Sequence, residues 1–263
     1  MSLTAPAWHE RFKQQAAWTE PLRRHLYTSY AIDQAARLLD LGCGTGVVLA
    51  ELNKTGPGLI FGLDINQTYL ELAQGYAPAA ALSQGDAYTL PYKDQAFDCV
   101  MFHFFLLWIR KPASVLTEVR RVTRPGGAIL ALAEPDYGGR IDFPVELSQL
   151  GDWQIAALRN QGAEPLIGRR LAHLFAGAGL VDIQTGLLGG QWVQGAHSND
   201  AFEREWSVIR ADLEAMHTAP PPNLVDELYQ IDRAACQRGE RVLFVPTFYA
   251  AGRVPLINLQ SHN

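Results

Sequence analysis

The stretch RLLDLGCGTGVV, residues 37–48, constrains the fold of this 263-residue chain more than any other. It begins as a short apolar run typical of a buried strand, passes through three glycines in five residues, and leaves as an apolar run typical of a helix. Glycine allows positive φ and lets a ligand approach the backbone closely. A strand, a glycine turn and a helix N-terminus in this order place backbone N–H groups against a ligand.

The spacing of these glycines separates two kinds of nucleotide site. In the dinucleotide fingerprint G-x-G-x-x-G the third glycine packs the helix against the strand, but here Gly46 comes one position early and Val47 occupies that place. No Lys-Ser/Thr pair follows, so the loop is not a P-loop. We therefore expect a nucleoside-like ligand without a pyrophosphate, which disfavours a nicotinamide dehydrogenase.

Strand-like and helix-like segments alternate along most of the chain. The pattern predicts an α/β fold with a doubly wound, mostly parallel sheet. After the first strand, further strands are predicted at residues 58–64, 80–84, 97–102, 128–133, 180–185 and 241–252. Two helices are predicted over residues 7–31, the second capped by Thr19 with Pro21 in its first turn. Asn66 and Ser114 are predicted helix caps.

Composition excludes several classes of function. The formal net charge of −5 and a pI near 5.8 disfavour a nucleic-acid surface, which needs a basic face. Three cysteines, Cys43, Cys99 and Cys236, show no metal-ligand spacing and indicate buried thiols in a reducing, cytoplasmic compartment, with no metal site. We see no signal segment and no run long enough to span a bilayer, so no membrane association is expected.

Two motifs carry a family resemblance. The run from Asp40 to Gly46 resembles the first motif of the class I S-adenosylmethionine-dependent methyltransferases, and Arg121–Gly127 is similar to a later motif of that family. The run from Glu134 to Gly139 resembles one found in a subset of small-molecule methyltransferases. The resemblance implies seven strands, with the last strand antiparallel beside the fifth. It also implies S-adenosylmethionine as cofactor, leaving as S-adenosylhomocysteine.

On this reading residues 1–263 form a single methyltransferase domain. Residues 1–35 are an N-terminal helical cap and 36–135 the cofactor-binding core. Residues 136–165 and 192–239 are helical insertions that form a lid over the carboxyl edge of the sheet, and 240–254 are the closing strand. We expect the lid there because loops leaving that edge form the crevice of open α/β sheets.

Candidate cofactor contacts follow each strand. Asp64 lies where an α/β nucleotide site places a carboxylate on the ribose, and Asp86 and the N–H of Ala87 suit the adenine amine and ring nitrogen. Arg23 or Arg24 in the cap could pair with the carboxylate of the methionine part. The predicted cofactor contacts are Trp18, Arg23, Asp40, Gly42, Cys43, Gly44, Thr45, Gly46, Asp64, Ile65, Gly85, Asp86, Ala87, Phe102 and His103.

Methyl transfer from a sulfonium is an in-line displacement, so the protein must align the groups, exclude water and remove a proton from a weak nucleophile. Candidate catalytic residues are His103, Glu134, Asp136 and Tyr137, each of which also has a structural interpretation. The many aromatic residues suggest a small, largely apolar or aromatic acceptor.

Several alternatives stay open at this stage. Methylation could be at O, N or C, and a homodimer is not excluded. A catalytically silent module that binds S-adenosylmethionine would share every cofactor residue. A base-methylating enzyme is disfavoured because His103-Phe104-Phe105 stands where an Asn/Asp-Pro-Pro-Tyr/Phe motif is expected.

Overall fold

We describe the chain from a computed structural model, which covers residues 4–56, 58–187, 189, 199–214 and 216–256. Trp192 and the first residues of the predicted insertion 192–239 lie outside these ranges, so that insertion is described from residue 199 onward.

Nine strands occur in the described residues, and seven of them form one sheet. Their bounds are β1 Arg37–Leu41, β2 Leu59–Asp64, β3 Ala81–Gln84, β4 Phe97–His103, β5 Thr123–Pro135, β6 Ile141–Phe143, β7 Val181–Leu187, β8 Val242–Phe244 and β9 Thr247–Arg253. The main sheet has the order β3-β2-β1-β4-β5-β9-β7. Strands β1 to β5 pair in parallel, whereas β9 is antiparallel to both β5 and β7. The predicted α/β sheet, with its last strand antiparallel beside the fifth, is confirmed.

Eight α-helices lie in the described part of the chain. Their bounds are α1 Ala5–Ser29, α2 Val47–Thr55, α3 Gln67–Tyr76, α4 Pro112–Val122, α5 Ser148–Asn160, α6 Leu171–Gly177, α7 Asn199–Glu214 and α8 Pro222–Arg238. Helices and connections cover the two faces of the sheet with two clusters of buried apolar side chains. A third cluster joins α5, α7 and α8 around the buried Trp206.

The N-terminal segment is one helix where two were predicted. Pro21 lies inside α1, and the helix continues through it because residues on both sides, including Ala16 and Leu22, are buried against the core. Thr19 is therefore not an N-cap. Its hydroxyl is 3.0 Å from the Gln15 carbonyl oxygen, one turn earlier.

Three other local predictions can be compared with the structure. Asn66 does cap α3, accepting from the backbone N–H of Tyr69 at 3.3 Å. Ser114 does not cap α4, because the helix begins at Pro112, whose fixed φ suits a first position. The predicted closing strand is divided into β8 and β9, with Pro246 between them, and β8 pairs with β6 in a separate small sheet.

The strand order places a crevice at one edge of the sheet. Strands β2 and β4 flank β1 and their chains cross over in opposite directions, so the carboxyl ends of β1 and β4 diverge there. Ligands of open α/β sheets bind outside the carboxyl ends of strands at such a switch point.

Candidate active site

A cavity of about 590 Å³ lies at this switch point, within the size range of small-molecule sites. Segments that follow the first five strands form its floor, and three helices, α1, α5 and α7, form its other walls. Its polar lining includes Arg11, Gln15, Asp40, Asp64, Asp86, His103, Tyr137, Gln154, Gln161 and Asp212. Its apolar lining includes Trp8, Phe12, Phe104, Phe105, Leu107, Trp108, Ile109, Leu158 and Val208.

The glycine loop is tied to the end of β2 through Asp64. One carboxylate oxygen of Asp64 accepts from the N–H of Gly44, and the other accepts from the N–H of Asn66, both at 2.8 Å. Gly42, Gly44 and Gly46 all have positive φ, so the turn needs glycine at each of these positions. The ring of Phe12 on α1 packs closely against the loop. A Cβ on Gly44 would lie 3.2 Å from that ring.

Asp40 is a buried acid whose second carboxylate oxygen has no partner. Its side chain is 2% exposed and lines the cavity, and Oδ2 accepts no hydrogen bond from the described residues. Burial and the nearby charge of Asp64 raise the pKa of Asp40 to about 7. A buried acceptor without a donor is costly, so this oxygen is a place where a cationic or donor group of a ligand would be stabilised.

The segment after β3 forms another part of the cavity floor. Gly85, Asp86 and Ala87 line the cavity together with Ile65, which is 70% exposed. The carboxylate of Asp86 accepts from the N–H of Tyr88 at 2.9 Å, which fixes its orientation in the turn.

His103 faces the cavity as a neutral imidazole. Its Nε2 is 2.7 Å from the hydroxyl of Thr19, which in turn accepts from the guanidinium of Arg23. Burial and the charge of Arg23 lower the pKa of His103 to about 3. At neutral pH the ring can donate or accept a hydrogen bond, but it is too weak a base to hold a proton.

Two of the predicted catalytic residues lie outside the cavity. Glu134 is fully buried and accepts hydrogen bonds from the N–H groups of residues 105, 106 and 107, at 3.0, 2.8 and 3.2 Å. Asp136 is 2% exposed and forms an ion pair with Arg169, at 2.5 and 2.6 Å. Their oxygens are used within the fold, so we do not retain either residue as a catalytic group. His103 and Tyr137 remain at the cavity wall.

The cap residues also differ from the prediction. Arg23 is 1% exposed and does not line the cavity. Its guanidinium lies between α1 and α2, where the carboxylate of Glu51 neutralises its charge. Trp18 is 48% exposed, and its ring packs on the guanidinium of Arg11 without lining the cavity. Neither side chain is available to a ligand in the cavity.

Three further predicted contacts do not line the cavity. Gly46 caps the start of α2, and Phe102 is completely buried within the sheet. The hydroxyl of Thr45 is 2.7 Å from Nδ1 of His9, which ties the loop to α1. Of the predicted contacts, the cavity retains Asp40, Gly42, Cys43, Gly44, Asp64, Ile65, Gly85, Asp86, Ala87 and His103.

Sequence reasoning missed the residues that the helices contribute. Trp8, Arg11, Phe12 and Gln15 follow one face of α1, Gln154, Leu158 and Gln161 one face of α5, and Val208 and Asp212 one face of α7. These spacings of three, four and seven residues were available in the sequence. They did not reveal the cavity because a helix face that lines a site has the same period as one that packs on a core.

The strands and loops that form the cavity floor are similar to known proteins. The family model for a methyltransferase domain matches residues 39–131, from β1 into β5. The matched residues are thus similar to a methyltransferase domain, and they include the glycine loop, Asp64, Asp86 and His103.

Relatives extend the likeness beyond the core. The demethylmenaquinone methyltransferase of Lactobacillus johnsonii is 37% identical over 123 residues, which are 43% of this chain and 50% of that protein. The chain spans about half the length of the curated relatives that match it, from 42% to 60% in four of them.

Solved structures share the fold of the methyltransferase domain and its surroundings. A Bacillus halodurans protein has a TM-score of 0.59 at 17% identity, over 89% of this chain and 98% of that one. Phosphoethanolamine N-methyltransferase 2 of Haemonchus contortus, solved with phosphomonomethylethanolamine and S-adenosylhomocysteine, has a TM-score of 0.57 at 16% identity, over 90% of this chain and 53% of that one.

Two features are absent from the described residues. None of their helices combines the length and apolarity that a bilayer crossing requires. Within the same ranges, no group of three His, Cys, Asp or Glu side chains is placed to bind a metal ion.

Proposed function

We propose that this protein is an S-adenosylmethionine-dependent methyltransferase that acts on a small, largely apolar or aromatic molecule. The observation that carries the proposal is a single cavity with two different ends. The glycine loop and Asp64 of the methyltransferase domain form one end, and the lid helices α5 and α7 form the other. A methyl donor and an acceptor could therefore lie side by side, as an in-line displacement requires.

The residues at the first end fit the cofactor. The carboxylate of Asp64 stands where it would accept hydrogen bonds from ribose hydroxyls, and Asp86 with the N–H of Ala87 suits an adenine edge. The unpartnered oxygen of Asp40 offers a buried acceptor to a ligand that carries a sulfonium and an ammonium. When bound, S-adenosylmethionine supplies a methyl group that its positive sulfur already activates.

This chain's own residues would orient the reactants and keep water out. Trp8 and Phe12 from α1, with Phe104 and Phe105 after β4, enclose the centre of the cavity. Excluding water strengthens the electrostatic interactions inside and keeps the reacting groups aligned.

Among the side chains lining the acceptor end, Asp212 is the best candidate for removing a proton. Its carboxylate lines the cavity and accepts from the amide of Gln161 at 2.9 Å. Burial raises the pKa of Asp212, which strengthens it as a base. His103 would serve as a neutral hydrogen-bonding group, and Tyr137, whose pKa burial also raises, as a phenolic donor.

The relatives support a small-molecule acceptor. The Lactobacillus johnsonii relative is named for demethylmenaquinone, and the Haemonchus contortus structure contains phosphomonomethylethanolamine. These two molecules differ in chemistry, so they support the class of reaction but do not identify the acceptor. The acceptor of this chain has to be inferred from the lining of its own cavity.

Calorimetry tests the proposal at the cofactor end. S-adenosylmethionine and S-adenosylhomocysteine should each bind the full chain, and NAD should not bind comparably. Asp64→Ala should weaken binding about ten- to a hundredfold, the effect of losing a hydrogen bond to a charged group. Asp152→Ala, an exposed change on α5, is the matched control. Tighter binding of NAD, or unchanged affinity in a folded Asp64→Ala variant, would contradict the proposal.

A further inference from the structure

A buried network of ion pairs lies behind the acceptor end of the cavity. Arg241 donates to Asp142 at 2.7 Å and to Asp232 at 2.5 Å, and Arg140 donates to Asp142 at 2.6 and 3.0 Å. All four side chains are 8% exposed or less. The network joins β6, α8 and the segment before β8, so three separate parts of the chain fix its geometry.

The network reaches the cavity through Gln154. Arg140 uses its remaining terminal nitrogen, Nη1, to donate to Oε1 of Gln154 at 2.6 Å. A guanidinium can only donate hydrogen bonds, so it must face the oxygen of the amide and leave the NH₂ group on the other side. Gln154 lines the cavity, and no residue in the described part of the chain accepts a hydrogen bond from that NH₂ group.

The other polar side chains around this end of the cavity include both donors and acceptors. Arg11 is 8% exposed and pairs with Glu205 at 2.8 Å through Nη1. Gln161 donates from its amide nitrogen to Asp212 at 2.9 Å. Gln154 differs from these residues because its NH₂ group has no acceptor among the described residues.

We infer that Gln154 determines acceptor specificity by donating from its side-chain NH₂ group to an oxygen of the methyl acceptor. The acceptor is thus an aromatic or otherwise apolar molecule that carries a carbonyl or comparable oxygen. Arg140 is a positioning residue that holds the amide in one orientation. The inference rests on the proposed function, since it takes the α5 end of the cavity as the acceptor site.

One substitution changes the donor without breaking the network. In Gln154→Glu, one carboxylate oxygen can still accept from Arg140, while the other replaces the NH₂ donor and faces the cavity. Gln149→Glu is the matched control, because it places the same change at an exposed position of the same helix. Melting temperature and calorimetric affinity for S-adenosylhomocysteine should be unchanged in both variants.

Two probes of nearly equal shape test the inference. 2-Acetylnaphthalene carries a carbonyl oxygen, and 2-isopropenylnaphthalene carries a CH₂ group in its place. Equilibrium dialysis measures their binding to the full chain saturated with S-adenosylhomocysteine. We expect wild type and Gln149→Glu to bind the ketone about tenfold more tightly than the alkene, and Gln154→Glu to lose this preference.

The outcomes separate this inference from the proposed function. If S-adenosylhomocysteine does not bind the wild type, the proposed function fails and the inference fails with it. If S-adenosylhomocysteine binds but wild type shows no preference for the ketone, or Gln154→Glu keeps the preference, only the inference is overturned.

Discussion

The carboxylate of Glu134 supports the aromatic wall of the cavity from behind. It accepts three backbone hydrogen bonds from the turn that carries Phe105 and Leu107, both of which line the cavity. Burial raises the pKa of Glu134 to about 7, although the three N–H donors act in the opposite direction. The residue therefore acts on the site through the backbone, without contact with a ligand in the cavity.

Replacing Glu134 with glutamine tests this supporting role. Gln has the same size, but its NH₂ group would face a backbone N–H and leave a buried donor unsatisfied. We expect the free energy of unfolding in urea to fall by about 1–3 kcal/mol. Glu227→Gln, an exposed change on α8, should have no such effect. Unchanged stability combined with a large loss of turnover would instead indicate a catalytic carboxylate.

At the scale of elements, α1 combines two functions along its length. Its first half lines the cavity with Trp8, Arg11, Phe12 and Gln15, and its second half contributes Leu22, Leu26 and Tyr27 to the core. Because the second half is part of the core, removing the whole helix would destabilise the sheet, so point changes in the first half are the better test.

The double variant Trp8→Ala/Phe12→Ala tests the first half of α1. It removes two apolar side chains from the cavity wall while keeping the core contacts of the second half. We expect affinity for S-adenosylhomocysteine, measured by calorimetry, to fall about tenfold or more. His25→Ala, an exposed change on the same helix, is the control. Affinity equal to wild type would show that α1 only packs against the domain.

The sequence predicted the cavity residues at the strand ends better than those on the helices. The contacts at the ends of β1, β2 and β3 follow directly from glycine spacing and strand position, and the cavity contains most of them. Arg23 could not be assigned, because its partner Glu51 lies 28 positions away, on α2. The orientation of Gln154 depends on its hydrogen bond with Arg140, which lies 14 positions earlier in the sequence. Only the folded chain brings these two side chains together.

At the scale of the whole molecule, the carboxyl edge of the sheet and the helices α1, α5 and α7 form one cavity. The parallel strands bring Asp40, Asp64 and Asp86 to one edge of the sheet, and α5 and α7 add polar groups above these acids. The buried ion pairs among Arg140, Asp142, Asp232 and Arg241 connect β6 and α8 to the segment before β8. We propose that methyl transfer takes place in this shared cavity.

Transfer of a labelled methyl group tests that claim most directly. The 263-residue chain is incubated with S-adenosylmethionine labelled in the methyl group and an organic extract of small molecules, and the label in separated products is counted. We predict labelled product with wild type and Asp152→Ala, and a strong decrease with Asp64→Ala. Tight binding of S-adenosylmethionine with no labelled product from any extract would contradict the account and indicate a silent binding module.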